Sequence, residues 1–226
     1  MDISKELEIV ITEDGSSSLR RKDLGEGYHS THGAIAESEH IFINSGLRYF
    51  HQQHPKKRIN ILEIGFGTGL NAILSLDFAI RQNQEIYYET VEKYPLGNDI
   101  ISSLNYGKII GKEEEFLRIH SVAWNKEVEI SKNFSLKKID SAAEEINYKE
   151  DFFDIIYFDA FAPAFEEKLW QETMFSKLYA SLKEKGILST YCCKGDVKRA
   201  LKSSGFIIEK LPGPKGKREI LRALKP

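Results

Sequence analysis

Cysteines and long apolar runs are scarce in this sequence, and each scarcity excludes a class of protein. The only two cysteines, Cys192 and Cys193, are adjacent, which suits neither a disulfide nor, without further cysteines, a zinc site. No run of about 18 apolar residues is present, so no membrane-spanning helix is expected. The first residues lack the basic and apolar pattern of a secretory signal. We therefore expect a cytoplasmic protein without a metal site.

The composition is that of a folded domain with an uneven charge distribution. Hydrophobic residues make up 41% of the 226 residues, enough for one large domain or for one domain with a small appendage. The net charge is only −2, yet residues 183–225 contain twelve Lys or Arg against four Asp or Glu. A basic C-terminal quarter on an acidic body predicts a patch for a polyanion. Ordinary solvated lysines are the alternative.

A glycine-rich turn separates two apolar segments in the first half of the chain. Residues 59–64 are predicted as a strand with Glu63 near its end, and residues 70–76 as a helix. The glycines between them are Gly65, Gly67 and Gly69. A strand, a glycine turn and a helix form the first unit of a nucleotide-binding α/β domain. The Gly-x-Gly-x-Gly spacing differs from that of dinucleotide sites, and with the acidic strand end it favours S-adenosylmethionine (SAM). A purely structural turn is the alternative.

Alternation of strand and helix patterns continues along the chain and predicts the fold class. We expect an α/β protein with the Rossmann-like class I fold of SAM-dependent methyltransferases. Its mostly parallel sheet should have seven strands, the last one antiparallel, with helices on both faces. Residues 1–57 are expected to form a small N-terminal appendage, with a hairpin at Asp14-Gly15, a polar loop over 25–33 and a helix from 34 to about 50. Residues 58–226 are expected to form the SAM-binding domain.

Acidic residues stand at the predicted carboxyl ends of four strands, where ligands bind in such sheets. Glu63 and Asp159 end two of these strands. Glu92 lies 23 positions after Gly69 and is placed to accept hydrogen bonds from ribose hydroxyls, while Asp140 is placed to accept from an adenine amino group. Four carboxylates suit a cationic sulfonium better than the anionic pyrophosphate of NAD.

The strand end at Asp159 suggests the chemistry of the acceptor. Amino-group methyltransferases often carry an acidic or amide residue, a proline and an aromatic residue here, and Asp159-Ala160-Phe161-Ala162-Pro163 has this character. An attacking amine must be neutral, and a carboxylate can orient it and accept its proton, although water can also take the proton. Phe161 or Trp170 would pack against the substrate, with ordinary core packing as the alternative.

The chain resembles the methyltransferase domain of the MnmC family over roughly residues 58–222. The resemblance rests on these motifs: Gly65-Phe66-Gly67-Thr68-Gly69-Leu70-Asn71, Glu92-Lys93-Tyr94-Pro95-Leu96, Asp159-Ala160-Phe161-Ala162-Pro163 and Gly216-Lys217-Arg218-Glu219. Residues 28–38 are also similar to stand-alone members of the family. The resemblance implies SAM-dependent methylation of the 5-aminomethyl group of wobble uridine U34 in tRNA, which gives 5-methylaminomethyluridine or its 2-thio form.

The resemblance and the strand-end pattern together predict the functional residues. The expected SAM contacts are Glu63, Gly65, Phe66, Gly67, Thr68, Gly69, Asn71, Glu92, Lys93, Asp140 and Asp159. Asp159 is also expected at the reacting amine. The expected substrate contacts are Tyr28, His29, Phe161, Pro163, Lys215, Lys217 and Arg218, with the last three meeting tRNA phosphates. For His29 the alternative is a solvated loop histidine.

The partners expected from this family follow from its two-domain members, which continue into a FAD-dependent oxidoreductase. This chain ends at Pro226, so we expect SAM without FAD, and an aminomethyl precursor made elsewhere or by a separate oxidoreductase. The macromolecular partner is expected to be the anticodon loop of tRNA, whose wobble base must be splayed out to enter a pocket.

Two other functions remain open from the sequence. An aminopropyltransferase of the polyamine-synthase type shares the fold and an N-terminal β appendage, but usually has further acids after the fourth strand, where this chain has Ala-Phe-Ala-Pro. A SAM-binding or tRNA-binding module that has lost catalysis is the other alternative. The intact glycines and Asp159 favour an enzyme instead.

Overall fold

The computed structural model of the protein describes residues 6–226, so the first five residues of the predicted 1–57 appendage lie outside the described residues. The described chain starts with a small antiparallel sheet, whose first two strands are joined at the predicted Asp14-Gly15 turn. The Asp14 carboxylate closes this turn by accepting from the Ser16 amide at 3.0 Å and from the Thr12 hydroxyl at 2.8 Å. The strands are β1 (Leu7–Ile11), β2 (Ser17–Arg21) and β3 (Glu26–Gly27).

A continuous helical segment follows the small sheet and lies against the central sheet. It consists of α1 (Ala34–Ser38), a π-helical stretch (Glu39–Arg48) and α2 (Tyr49–Gln53). The ring centroid of Phe42 lies 5.2 Å from that of Tyr157, and the buried side chains of the segment belong to the same hydrophobic cluster as the central strands. The N-terminal segment therefore shares its core with the rest of the protein, while a domain boundary near residue 57 stays a prediction.

The central sheet confirms the predicted α/β class. Its order is β10-β11-β9-β8-β4-β5-β7-β6, and β4, β5, β7, β8 and β9 run parallel to one another. The strands are β4 (Arg58–Ile64), β5 (Glu85–Glu92), β6 (Glu127–Ser131), β7 (Phe134–Asp140), β8 (Phe153–Phe158), β9 (Leu182–Thr190), β10 (Ile207–Pro212) and β11 (Glu219–Leu224). The last strand is antiparallel to both neighbours, as expected. The sheet has eight strands rather than seven because β6 adds an antiparallel edge to β7.

Helices cover both faces of the sheet. They are α3 (Leu70–Gln82), α4 (Asn98–Ile101), α5 (Tyr106–Ile110), α6 (Glu113–Ser121), α7 (Glu172–Ser181) and α8 (Gly195–Ser203), with 3₁₀ turns at Ala143–Glu145 and Glu167–Trp170. The sequence pattern over 141–148 predicts a short helix, but only the turn at Ala143–Glu145 forms there. The chain becomes extended at Ile146, which packs with Tyr148 on the core. Within residues 6–226, no helix is long and apolar enough to cross a membrane.

Strand β8 shows how the sequence fills two cores at once. All six of its residues are buried, which is typical of the centre of a parallel sheet. Ile155 and Tyr157 face the cluster shared with α3 and the N-terminal helical segment, whereas Ile156 and Phe158 face a second cluster with α7 and α8. Burying each such side chain contributes about 1.5–3 kcal/mol. These two cores fix the strands whose carboxyl ends meet at one edge of the sheet.

Candidate active site

A cavity of about 560 Å³ opens at the carboxyl ends of β4, β5 and β8. Its walls are the loop after β4, the loop after β8, the residues around β3 and the N-terminal helical segment. This volume is typical of small-molecule sites, and the position is where ligands bind in open α/β sheets. The predicted residues in its lining are Tyr28, His29, Gly65, Phe66, Gly67, Thr68, Asn71, Glu92, Lys93, Asp159, Phe161 and Lys217.

The glycine loop passes so close to its neighbours that side chains would not fit. Gly65 has a φ of 92°, and a Cβ there would lie 2.6 Å from the backbone oxygen of Asp159. Gly69 has a φ of 72°, and a Cβ there would lie 2.7 Å from Nε2 of His120. Positive φ is accessible to glycine at no steric cost. The loop is therefore pressed against the end of β8 on one side and α6 on the other, and Gly69 lies behind the cavity lining.

Glu92 ends β5 and faces the cavity with its carboxylate held by backbone amides. Its Oε2 accepts from the Gly67 amide at 2.9 Å, and its Oε1 accepts from the Tyr94 amide at 2.8 Å. Burial raises the pKa of Glu92, and the hydrogen bonds from the Gly67 and Tyr94 amides oppose that rise. A carboxylate oxygen has two lone pairs. Each oxygen therefore keeps one acceptor site for a pair of ligand hydroxyls.

Asn71 joins two carboxyl groups at the base of the cavity, that of the fully buried Glu63 and that of the partly buried Asp159. Its Nδ2 donates to Glu63 Oε1 at 3.1 Å and to Asp159 Oδ2 at 2.9 Å, while the Thr90 hydroxyl donates to Glu63 Oε2 at 2.7 Å. Glu63 is fully buried and lies outside the cavity lining. Glu63 therefore reaches the cavity only through Asn71.

The two carboxyl groups differ in how readily they ionise. Burial raises the pKa of Glu63 to about 8, although the hydrogen bond from Thr90 lowers it; the charge of Asp159 raises it further. Burial raises the pKa of Asp159 to about 7, opposed by the hydrogen bond from Asn71. Near neutral pH, Glu63 keeps its proton, while Asp159 is divided between its two forms. Perturbed carboxyl groups in a cleft are typical of active sites.

Aromatic side chains form the wall next to Asp159. The rings of Tyr28 and Phe161 meet edge to face, with centroids 4.9 Å apart. Tyr191, which follows β9, also lines the cavity, and its hydroxyl donates to Ala160 O at 2.9 Å. Trp170 does not line the cavity. It is buried behind the loop and donates to Phe161 O at 2.7 Å, so it supports the loop from the core side.

The structure leaves four predicted residues outside the lining besides Glu63 and Gly69: Asp140, Pro163, Lys215 and Arg218. Asp140 is exposed, and the neighbouring Ser141 lines the cavity instead because its amide donates to Glu92 O at 3.1 Å. Lys215 lies on the outer surface and pairs with Glu13 at 2.6 Å. Lys217, expected on the same surface, lies in the cavity wall and pairs with Glu37 at 3.1 Å.

His29 lines the cavity as a neutral side chain. Its Nδ1 shares a hydrogen bond of 2.9 Å with the Ser18 hydroxyl. Burial lowers the pKa of His29 to about 4, so the imidazole is uncharged at neutral pH. A neutral imidazole held by Ser18 is a fixed polar contact rather than a cation for phosphate.

Among the lining residues that sequence reasoning missed are Glu37, Glu166 and Tyr191. Burial and the neighbouring Glu92 raise the pKa of Glu166 to about 7. Tyr191 follows the carboxyl end of β9, and the strand-end rule would have found it if it had been applied to more than acids. Glu37 and Glu166 lie on a helix and in a loop, whose inward faces the sequence did not reveal. Over residues 6–226, no group of three or more His, Cys, Asp or Glu is placed to hold a metal ion.

The fold and the cavity together define a class of protein. A glycine loop after β4, a carboxylate at the end of β5, a second at the end of β8 and an antiparallel β11 are the features of a Rossmann-like nucleotide-binding enzyme. A sequence model of one family, described as S-adenosyl-L-methionine-dependent methyltransferase, matches residues 113–226, which are half of the chain. This chain belongs to that family of SAM-dependent methyltransferases.

Comparison with individual proteins extends the similarity to the glycine loop. The chain is 27% identical over 237 residues to the tRNA 5-methylaminomethyl-2-thiouridine biosynthesis bifunctional protein MnmC of Pseudomonas syringae pv. syringae, a match that covers 98% of this chain and 35% of that protein. It is 29% identical over 220 residues to the protein of the same name from Stutzerimonas stutzeri, covering 92% and 33%. The chain thus spans about a third of the length of these relatives.

A solved structure has the same architecture over almost the whole chain. The crystal structure of MNMC2 from Aquifex aeolicus superposes with a TM-score of 0.79 at 29% identity, covering 96% of this chain and 69% of that one. The N-terminal segment and the central sheet are therefore both shared with that protein.

Proposed function

We propose that this chain transfers the methyl group of SAM to the primary amine of a 5-aminomethyl group on the wobble uridine of tRNA. The observation that carries the proposal is the position of Asp159, a partly ionised carboxyl beside an aromatic wall, in the same cavity as Glu92 and the glycine loop. The relatives are named for the biosynthesis of 5-methylaminomethyl-2-thiouridine in tRNA, and these names support a modified uridine of tRNA as the substrate.

The residues around the glycine loop fit SAM. Glu92 offers two acceptor sites for the ribose hydroxyls, and Gly65 and Gly67 let the backbone approach the ligand. Asn71 Oδ1 is buried without a hydrogen-bond partner among the described residues, which leaves an acceptor next to the cavity. Carboxyl groups at Glu92, Asp159 and Glu166 suit a cationic ligand. When bound, SAM supplies a methyl group already activated on its sulfonium.

Asp159 is the group that acts on the acceptor amine. Its ionised form orients the amine by accepting a hydrogen bond and takes one proton as the new N–C bond forms. Because the pKa of Asp159 is raised to about 7, this form is lost as the pH falls through neutrality. Most of the acceleration then comes from holding donor and acceptor in line.

The substrate side of the cavity is formed by the N-terminal segment. Tyr28 and Phe161 provide ring surfaces for a base that has been splayed out of the anticodon loop. We propose that Lys215 and Arg218 meet tRNA phosphates near the cavity mouth, and that residues 1–57 complete the acceptor side of a SAM-binding unit formed by residues 58–226. The aminomethyl precursor would come from a separate FAD-dependent oxidoreductase activity, and the reaction would take place in the cytoplasm.

Nucleoside mass spectrometry tests this proposal. Undermodified tRNA that carries 5-aminomethyluridine should gain one methyl group with wild-type protein and SAM. With Asp159→Asn, the amount of methylated nucleoside should fall by at least about a hundredfold. Asp196→Asn is the matched control, since Asp196 is exposed on α8. Equal methylation by Asp159→Asn would remove Asp159 from its role. Product from decarboxylated SAM and putrescine instead of tRNA would replace the proposal with aminopropyl transfer.

A further inference from the structure

The turn between β10 and β11 brings a lysine into the cavity from the far end of the sequence. The turn is closed by the Lys217 amide, which donates to Pro214 O at 2.9 Å. Two ion pairs hold it to the N-terminal segment, Lys215 to Glu13 at 2.6 Å and Lys217 to Glu37 at 3.1 Å. The first pair lies on the outer surface, and the second lies in the cavity wall. Two lysines of one turn therefore have different surroundings.

Lys217 is fixed in the wall on two sides. Its Nζ lies 3.1 Å from Glu37 Oε1 and 4.7 Å from the ring centroid of Tyr191. Glu37 is itself held, because its Oε2 accepts from the Ser30 amide at 2.7 Å. The contact with Glu37 Oε1 is an ion pair without hydrogen-bond geometry, so the three donors of the ammonium stay available to a ligand in the cavity. Because the side chains of Lys217 and Glu37 are already held in place in the ligand-free protein, they lose less conformational entropy when a ligand binds.

Both members of this pair act on Asp159. The negative charge of Glu37 raises the pKa of Asp159, and the positive charge of Lys217 lowers it. The other polar groups that face Asp159 are uncharged near neutral pH. They are Glu63 on β4, Asn71 on α3 and Tyr191 after β9. The pair is thus the main charged neighbour that a substitution can change without touching the hydrogen bond from Asn71.

We propose that the Glu37–Lys217 pair is part of the acceptor site, where Lys217 donates a hydrogen bond to the carbonyl oxygen at position 4 of the acceptor base. This inference rests on the proposed function, since position 4 is adjacent to the carbon that carries the aminomethyl group. A donor beside Asp159 suits a pyrimidine with oxygen at position 4. It disfavours one with an amino group there, because two donors would meet.

The pH dependence of kcat/KM separates this role from a phosphate contact. Lys217→Met should move the acid limb to higher pH, Glu37→Gln should move it to lower pH, and the double variant should lie between them. The acceptor amine is the same throughout, so the differences report the enzyme group. Since one pH unit corresponds to a tenfold change in ionised fraction, Lys217→Met should lose up to about tenfold in kcat/KM below the limb.

Lys215→Met is the matched control, because Lys215 lies on the same turn outside the cavity. It should leave the acid limb in place. If Lys217→Met also leaves the limb in place and only weakens the salt dependence of the KM for tRNA, Lys217 is a phosphate contact and the proposal is overturned.

Discrimination between bases gives a second readout. With anticodon stem-loops carrying 5-aminomethyluridine or 5-aminomethylcytidine, wild type should prefer the uridine by at least about tenfold in kcat/KM, and Lys217→Met should reduce that preference toward unity. An unchanged preference in Lys217→Met would overturn the contact at position 4.

A titration without substrate keeps this inference separate from the proposed function. Carboxyl ¹³C NMR of the ligand-free protein, with Asp159→Asn used to assign the signal, should show opposite displacements of the Asp159 titration in Lys217→Met and Glu37→Gln. If wild type fails to methylate tRNA but these displacements occur, the proposed substrate is wrong and the electrostatic role of the pair stands. If neither variant displaces the titration, the pair does not act on Asp159.

Discussion

Replacing Asn71 by alanine removes the single side chain that joins Glu63 to Asp159. Asn71 is 3% exposed and lies in the first turn of α3, so the helix itself should form normally in the variant. The substitution deletes two hydrogen bonds, of 3.1 Å to Glu63 and 2.9 Å to Asp159. The buried carboxyl group of Glu63 and the partly buried one of Asp159 then each have one donor fewer.

The size of the effect follows from the charge of the acceptors. A net hydrogen bond between neutral groups contributes about 1 kcal/mol, and one to a charged group about 1.5–3 kcal/mol. At pH 5.5 both carboxyl groups are neutral, so Asn71→Ala should cost about 2 kcal/mol. At pH 8.5 Asp159 and most of Glu63 are ionised, and the cost should rise to about 3–6 kcal/mol. In a protein of this size, these losses correspond to about 4–8 °C and 6–24 °C in Tm.

The sign of this pH dependence can be checked from the pKa values. Burial holds the pKa of Asp159 near 7, above its unfolded value, so ionisation of Asp159 destabilises the folded state as the pH rises through 7. Asn71 lowers that pKa, and removing it raises the pKa further. The variant therefore loses more stability than wild type between pH 5.5 and 8.5.

Thermal unfolding of the ligand-free protein at the two pH values measures the effect. Ser75→Ala is the matched control, because Ser75 is a buried polar residue one turn further along α3 whose hydroxyl lies 3.4 Å from the Tyr157 hydroxyl. It should lower Tm by a similar amount at both pH values. A pH-independent loss in Asn71→Ala, or one equal to that of Ser75→Ala, would refute the bridging role.

Two further predictions concern the cofactor side of the cavity. Glu92→Gln should weaken binding of S-adenosylhomocysteine at least about tenfold by calorimetry, because a carboxylate oxygen that accepts a ribose hydroxyl is replaced by an amide donor. Glu89→Gln, on the same strand outside the cavity lining, should bind normally. Equal affinities of the two variants would count against the ribose contact. Gly65→Ala should abolish this binding and lower Tm, since its Cβ would lie 2.6 Å from a backbone oxygen at a φ of 92°. Gly97→Ala, at a φ of −72° with no heavy atom within 4 Å, is the control, and binding retained in Gly65→Ala would contradict the close packing of the loop.

The sequence predicts the sheet well where local patterns decide the structure. Apolar runs such as 153–158 are long enough to form strands buried on both faces of a sheet. The glycine turn can be predicted because positive φ favours glycine. The edge strand β6 alternates polar and apolar residues, and residues 128–130 are readable from the sequence as a strand, but the expected total of seven strands left no place for it. The helix expected over 141–148 failed because Ile146 and Tyr148 find more burial in the core as extended chain.

Only part of the candidate site can be predicted from the sequence, because local patterns place some of its residues and long-range packing places the others. Strand ends are grouped by topology, so Glu92 and Asp159 can be placed in one cavity before the structure is known. Asp140 also lies at a strand end, but it is exposed, and Ser141 lines the cavity in its place. The sequence pattern does not resolve this difference of one residue. Lys217 is the opposite case: it reaches the cavity through long-range packing on Glu37, 180 positions away, which no local pattern encodes.

The cavity is enclosed by parts of the chain that are made at very different times. Glu37 is synthesised 180 positions before its partner Lys217. A growing polypeptide can already hold the β4–α3 turn and the tip of β5 while this side stays open. Closure of the chamber therefore waits until the β10–β11 hairpin, which follows all the other strands of the central sheet, docks onto α1.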